Sequence, residues 1–130
     1  MKFIINVSSS KRIEAINVTL KINEILKKAN ITQGTLLLYV PHTTAAITIN
    51  EAYDPSVMED FLNHLSKIVP YDVSYKHSEG NADAHIKASI IGNQRLIIIE
   101  DSKPLLGRWE GIFFLEFDGP RERELIVEII

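Results

Sequence analysis

Leu36-Leu37-Leu38-Tyr39-Val40-Pro41-His42-Thr43-Thr44-Ala45-Ala46-Ile47-Thr48-Ile49-Asn50-Glu51-Ala52-Tyr53-Asp54-Pro55 reads as strand, interruption, strand and helix start. Leu36 to Val40 is a near-continuous apolar run, which predicts a buried strand. Pro41-His42-Thr43-Thr44 breaks it, and a second strand is expected from Ala45 to Asn50. Asp54-Pro55 places a capping aspartate before a proline at the first helical position. The helix it opens is expected to run to about Val69, to bury Val57, Met58, Phe61, Leu62, Leu65 and Ile68, and to stop at Pro70. Two successive strands followed by a helix are not the strict alternation of a parallel α/β fold.

Upstream, residues 2–8 and about 12–16 predict a hairpin around Ser8–Lys11, with Phe3, Ile5 and Val7 on one face. Asn17 is expected to cap a helix over about residues 18–29, whose apolar stripe is Val18, Ile22, Ile25, Leu26 and Ala29. Downstream, Asp83 is expected to cap a short helix to Ile91, with Gly92 as its C-terminal glycine. Strands follow at about 95–100, 111–117 and 123–130, the last two joined by Asp118-Gly119-Pro120. The apolar end, Leu125 to Ile130, has to be held in a sheet or against another subunit. The expected fold class is α+β: a single domain over residues 1–130 with a mostly antiparallel sheet and about three helices.

Composition narrows the function. At 130 residues, 45% hydrophobic and 24% charged, the chain can bury a core without cross-links. The absence of cysteine excludes thiolate zinc sites and cysteine nucleophiles. Seventeen acidic against fourteen basic residues give a net charge of −3, which lacks the footprint of a nucleic-acid binder. No apolar run approaches the ~18 residues of a membrane span. The N-terminus turns polar at Ser8-Ser9-Ser10, with no secretory signal, so a cytoplasmic protein without membrane partners is expected.

Four segments carry polar residues without an evident structural duty. Pro41-His42-Thr43-Thr44 offers an imidazole and two hydroxyls, although a connecting turn with a half-exposed histidine is the commoner arrangement. Glu51 stands at a strand end, where exposed glutamates are frequent. His77-Ser78-Glu79-Gly80-Asn81-Ala82-Asp83-Ala84-His85-Ile86-Lys87 gathers two imidazoles, carboxylates, an amide and a lysine within eleven residues. His77 and His85 match no standard zinc spacing, and a polar loop before a capped helix explains the segment equally well. A helix start beside His85 and Lys87 also suits an anion. Leu106-Gly107-Arg108-Trp109-Glu110-Gly111 brackets the only tryptophan with glycines, which implies a sharp bend or a close approach by another chain. Arg108, Arg121 and Arg123 are candidates for phosphate or carboxylate contacts, or solvated surface charges. His64 reads as helix surface.

In order, the segments from Pro41 to Pro55, His77 to Ser89 and Leu106 to Arg121 resemble three signatures of the YjbQ family, also described as secondary thiamine-phosphate synthases. The resemblance spans about residues 35–123 and implies a sandwich with a barrel-like sheet flanked by helices. It also implies a homotrimer with clefts near the subunit interfaces. Carried over by position, it makes His42, His77 and His85 imidazole donors to a divalent metal, zinc or similar, with magnesium as an alternative. Glu51 and Asp83 become the acidic catalytic groups beside His42 and His85. Thr43, Thr44, Asn81, Lys87, Arg108 and Arg121 then serve a small phosphorylated metabolite. Arg108 and Glu110 stand where the family commonly has threonine and glutamine, which opens a different ligand or an interfacial ion pair there.

The activity implied is thiamine-phosphate synthesis, in which an aminopyrimidine methyl pyrophosphate joins a thiazole phosphate and pyrophosphate departs; it is equally implied as a side activity. Two alternatives stand beside it. One is a metal-dependent hydrolase of a small phosphorylated metabolite, with Glu51 or Asp83 as general base. The other is a non-catalytic trimer that binds an anion or metabolite.

Overall fold

Ile112-Phe113-Phe114-Leu115 is apolar at four consecutive positions, and a strand of that kind needs cover on both faces. The computed structural model, which describes residues 1–130, provides it. In chain order the elements are β1 (Lys2–Ser8), β2 (Glu14–Asn17), α1 (Thr19–Lys28), β3 (Gln33–Tyr39), β4 (Ala45–Glu51), α2 (Pro55–Ile68), α3 (Ala82–Ile91), β5 (Gln94–Glu100), β6 (Lys103–Pro104), β7 (Glu110–Glu116) and β8 (Glu122–Ile129). They form a five-stranded sheet ordered β1-β8-β3-β5-β6 and a three-stranded sheet ordered β2-β7-β4. Every pairing is antiparallel. The α+β expectation holds, and the strands curl into a half-barrel.

The period-two alternation of β7 sorts its side chains into two cores. Ile112 and Phe114 point between the sheets, where they join Val7, Leu36, Leu38, Ile97, Leu125 and α1 residues Ile22 and Leu26. Phe113 and Leu115 point the other way, against Met58 and Leu65 of α2 and Ala84 and Ala88 of α3. β4 splits likewise, with Ala45 and Ile47 in the first core and Ala46 in the second. Small residues at the β4–α3 contact let the helix lie close to the strand, which sets where its polar residues emerge.

Several expectations change. Residues 2–8 and 12–16 do not form a hairpin: β1 pairs with β8, and β2 with β7 in the other sheet. The intervening segment runs along the β7–β8 turn instead, with Ser9 N–H donating to Arg121 O (3.0 Å) and Gly119 N–H to Arg12 O (2.9 Å). Asn17 lies one residue before the α1 cap, though its Oδ1 does accept the Thr19 N–H at 3.0 Å. The α3 cap is Asn81 rather than Asp83, which sits inside the first turn. In α2, Asp54 caps as expected by accepting from Ser56 N–H (3.0 Å), but Ile68 is exposed. Leu36, Leu38 and Val40 are buried while Tyr39 is exposed, so the Leu36–Val40 strand has one buried face, not two. The apolar C-terminal strand is held within the sheet, as β8 lies between β1 and β3. No helix is long and apolar enough to cross a membrane.

Candidate functional site

Two chain connections meet at one end of β4. The Pro41–Thr44 link between β3 and β4 passes beside the Gly92-Asn93 link between α3 and β5. Val40 N–H donates to Asn93 O (2.8 Å) and Ile47 N–H to Gly92 O (3.2 Å), which ties the links together. Gly92 has a φ of 98°, a left-handed geometry that favours glycine at a helix end. Between the links lies a cleft of about 460 Å³ lined by His42, Thr43, His85, Ser89, Gly92 and Asn93. His85 and Ser89 reach it from α3 because residues four apart share a helical face.

His42 is half-buried, and its Nε2 accepts the Glu124 backbone N–H at 2.9 Å. That acceptor role places the ring proton on Nδ1, so the imidazole has one remaining donor. Burial, followed by the nearby Arg123 guanidinium, pushes the His42 pKa below its ordinary value and favours the neutral ring.

The opposite face of α3 holds a closed ionic network. Asp83 and Lys87 are each 1% exposed and paired at 2.7 Å. Arg12 completes a fork, with Nη2 to Asp83 Oδ1 at 2.7 Å and Nη1 to Oδ2 at 3.2 Å. Its guanidinium also lies over the Tyr71 ring, 4.3 Å from the centroid. Burial alone would raise the Asp83 carboxyl, but hydrogen bonds from Arg12 and Lys87 outweigh it and hold the pKa below the usual range. The same fork raises the Arg12 pKa. Asp83 is therefore fully engaged rather than a free acidic group, and Lys87 faces Asp83 rather than the cleft.

A second buried network stands behind His42. Glu116 accepts from the Arg123 Nε (2.9 Å) and from Ser9 Oγ (2.7 Å), and Arg123 Nη2 donates to Thr44 Oγ1 at 2.7 Å. Burial again opposes ionisation of Glu116, and the Arg123 and Ser9 hydrogen bonds overcome it to lower its pKa. Thr44 thus belongs to this network, and only Thr43 of the threonine pair lines the cleft.

The remaining sequence candidates are scattered. Glu51 lies at the far end of β4, roughly 20 Å from its start at ~3.3 Å per residue. There its Oε2 accepts the N–H groups of Tyr53 (3.0 Å) and Asp54 (3.1 Å), a turn-closing role. Asn81 is held at both ends, by His77 Nε2 (2.9 Å) and Asp118 Oδ2 (2.8 Å). Arg121 pairs with Asp118 at 2.9 Å, and Arg108 lies over its neighbour Trp109. Glu110 accepts the Gly107 N–H at 2.7 Å and closes the turn before β7. The close approach expected at Gly111 is intramolecular: a Cβ there would come within 2.6 Å of Ala52 Cβ.

His77 and His85 meet edge to face, with ring centroids 5.1 Å apart and planes at 83°. His42 lies on another wall of the His85 cleft, with its Nε2 lone pair occupied by Glu124. No three His, Asp or Glu side chains gather in metal-ligating positions. Within one chain His42 and His77 line different clefts, and His85 lines both. Ser89 and Asn93 were missed by sequence reasoning; the i, i+4 spacing from His85 could have found Ser89, but no local pattern points to Asn93.

With this geometry in place, comparison with known proteins is direct. The sequence profile described as UPF0047 protein YjbQ-like matches residues 3–130. The chain belongs to the YjbQ/UPF0047 family. A UPF0047 protein of Methanocaldococcus jannaschii is 50% identical over 130 residues, spanning 100% of this chain and 94% of that one. The UPF0047 protein YugU of Bacillus subtilis is 40% identical over 127 residues, covering 97% and 96%. Among solved structures, an uncharacterised YjbQ/UPF0047 family protein of Clostridium acetobutylicum superposes with a TM-score of 0.95 at 44% identity, covering 98% and 99%. A hypothetical protein of Aeropyrum pernix K1 gives a TM-score of 0.95 at 36% identity, covering 100% and 98%.

Proposed function

We propose that this YjbQ family member is a small-molecule enzyme acting on a phosphorylated metabolite in the His42–His85 cleft, with thiamine-phosphate synthesis as its reaction class. One observation carries the reading: the His42, Thr43, His85, Ser89 and Asn93 side chains line one cleft with no carboxylate among them. Its volume of about 460 Å³ falls in the range of small-ligand pockets. The His42 Nδ1–H, the Thr43 hydroxyl and the Asn93 amide can donate to phosphoryl oxygens.

In the proposed reaction the bond from the pyrimidine methylene carbon to the pyrophosphate oxygen breaks. The thiazole nitrogen lone pair forms the new carbon–nitrogen bond, and pyrophosphate leaves with the electron pair. Donors around the cleft stabilise the charge that grows on the departing oxygen. A hydrolase with Glu51 or Asp83 as general base has less support, since one lies at the far end of β4 and the other is locked to Arg12 and Lys87. A cytoplasmic location belongs to the same proposal, because phosphorylated metabolites do not cross bilayers unaided and stay where they are made.

The homotrimer enters this proposal as well. The outer face of the five-stranded sheet exposes Ile4, Tyr39, Leu96 and Ile98, and Tyr39 and Ile4 both pair with Ile126 in register. Such a stripe suits burial against another subunit. Light scattering on the purified chain tests it, and a monomer would exclude it.

The decisive assay mixes purified protein with the aminopyrimidine pyrophosphate and the thiazole phosphate, with and without magnesium, and measures thiamine phosphate. Formation of product that is lost in His85→Ala supports the reading. No product, or product undiminished in both His42→Ala and His85→Ala, overturns it. Phosphate binding without turnover would instead indicate a binding protein.

A further inference from the structure

His85 is shared by two clefts. Behind it, away from His42, lies a second cleft of about 390 Å³ lined by Tyr75, Lys76, His77, Ala82, His85 and Ile86. The two differ in chemistry. The first sets two imidazoles and two alanines among hydroxyls, an amide and the backbone around Gly92, whereas the second has no hydroxyl but the Tyr75 phenol and no amide, and presents three flat rings, two apolar side chains and one cation.

Two of the three rings are held by hydrogen bonds. Tyr75 Oη donates to Pro70 O at 2.5 Å, and His77 Nε2 is held by Asn81 Oδ1 at 2.9 Å. His77 and His85 keep an edge-to-face geometry, which leaves ring faces available to a third planar group. Lys76 pairs with no carboxylate. A wall of ring faces and aliphatic groups favours a planar ring over a bare phosphate, which needs several convergent donors.

We propose that this second cleft is a subsite for a planar, uncharged heteroaromatic ring, so that His85 divides one binding region into a phosphate half and a ring half. The assignment of the first half rests on the function proposed above; the assignment of the second rests on its own lining. A metabolite with a heteroaromatic ring tethered to a phosphate would straddle the His85 imidazole, with its ring against Tyr75, His77 and Ile86 and its phosphate against His42 and Thr43.

The four histidines make the test internal to the protein. His42 belongs to the first cleft alone, His77 to the second alone, His85 to both, and the exposed His64 of α2 to neither. Imidazole NMR signals of the intact chain are followed at constant pH during two titrations to millimolar concentration. One probe is inorganic phosphate; the other is the unphosphorylated thiazole alcohol. Phosphate is expected to move His42 and His85 and leave His77 in place. The thiazole alcohol is expected to move His77 and His85 and leave His42 in place. Ile86→Trp, which fills the second cleft from a partly exposed position, is expected to abolish the thiazole shift at His77 and preserve the phosphate shift at His42.

Three results overturn the subsite: no thiazole-induced shift at His77, a shift at His64 of equal size, or a shift confined to His42 and His85. Enzyme activity is a separate readout. Absence of thiamine phosphate with the two probes correctly partitioned would sink the reaction and keep the subsite, and the converse result would do the reverse.

Discussion

The two faces of α3 carry the same number of polar anchors and put them to opposite use. On the inner face Asp83 and Lys87, four residues apart, neutralise each other with Arg12, and the carboxylate accepts three hydrogen bonds from them. On the outer face His85 and Ser89, also four apart, open onto a cleft shared with His42, Thr43 and Asn93. Density of ionisable groups does not separate the two, since the inner face is the more highly charged. The difference is unused hydrogen-bonding capacity: Ser89 Oγ donates to His85 O (3.0 Å), but the His85, Thr43 and Asn93 side chains have no hydrogen-bond partner in the protein, whereas a buried charge must be satisfied by the protein itself.

The largest effect expected from this contrast is on stability. Asp83→Ala leaves Lys87 buried without its partner and should cost about 3–5 kcal/mol in urea unfolding. Replacing Asp83 with leucine and Lys87 with methionine together should recover most of that loss, because apolar side chains of similar size satisfy a buried site. A single variant as stable as the parent would end the view of the inner face as a structural network.

His85→Ala should do the opposite. We expect stability within about 1 kcal/mol of the parent, because the ring lines an open cleft, together with a rate loss of ~100-fold in the proposed reaction. Equal losses of stability in His85→Ala and Asp83→Ala would erase the distinction between the faces.

Acidification should weaken the fold through three groups acting in one direction. Asp83 and Glu116 are held below their usual values, so their contribution is complete above the unfolded pKa values of ~3.9 and ~4.3 and is lost as pH falls toward the lower folded values. His42 is also lowered, so its protonation favours the unfolded chain once pH falls below its unfolded value of ~6.5. The thermal midpoint should decline gently below neutrality and steeply in the carboxylate range. A midpoint that rises on acidification contradicts all three assignments. The smallest effect is reserved for Arg108→Ala, which removes an exposed side chain from Trp109 and should change stability by less than ~0.5 kcal/mol and leave phosphate binding intact. A large loss of binding would bring the Gly107–Gly111 turn back into the site.

Much of the fold was legible because it follows from local rules. The Asp54-Pro55 start of α2, the glycine after α3 and the apolar run of β7 are each set by a few neighbouring residues. The hairpin expectation failed because a polar turn between two strands looks the same whether the chain reverses there or crosses to another sheet. Ser9 bonds to residues more than a hundred positions away, and no window around it contains that information. Asp83 was misread for a related reason. An aspartate at a helix start favours the cap role, and only Arg12, 71 residues distant, shows that it is turned inward.

Amino-acid order by itself determined the three helices, every strand but the two-residue β6, the family and the segments from which a site can be drawn, since these depend on periodicity, caps and motif spacing. Tertiary structure decided which candidates share a cleft. It brought His42 to His85, sent Glu51 to the opposite end of β4, and gave Asp83, Lys87 and Thr44 to the interior. The physical reason is that a polar side chain's role depends on whether its hydrogen bonds are already satisfied, and its partners here come from strands and helices remote in sequence.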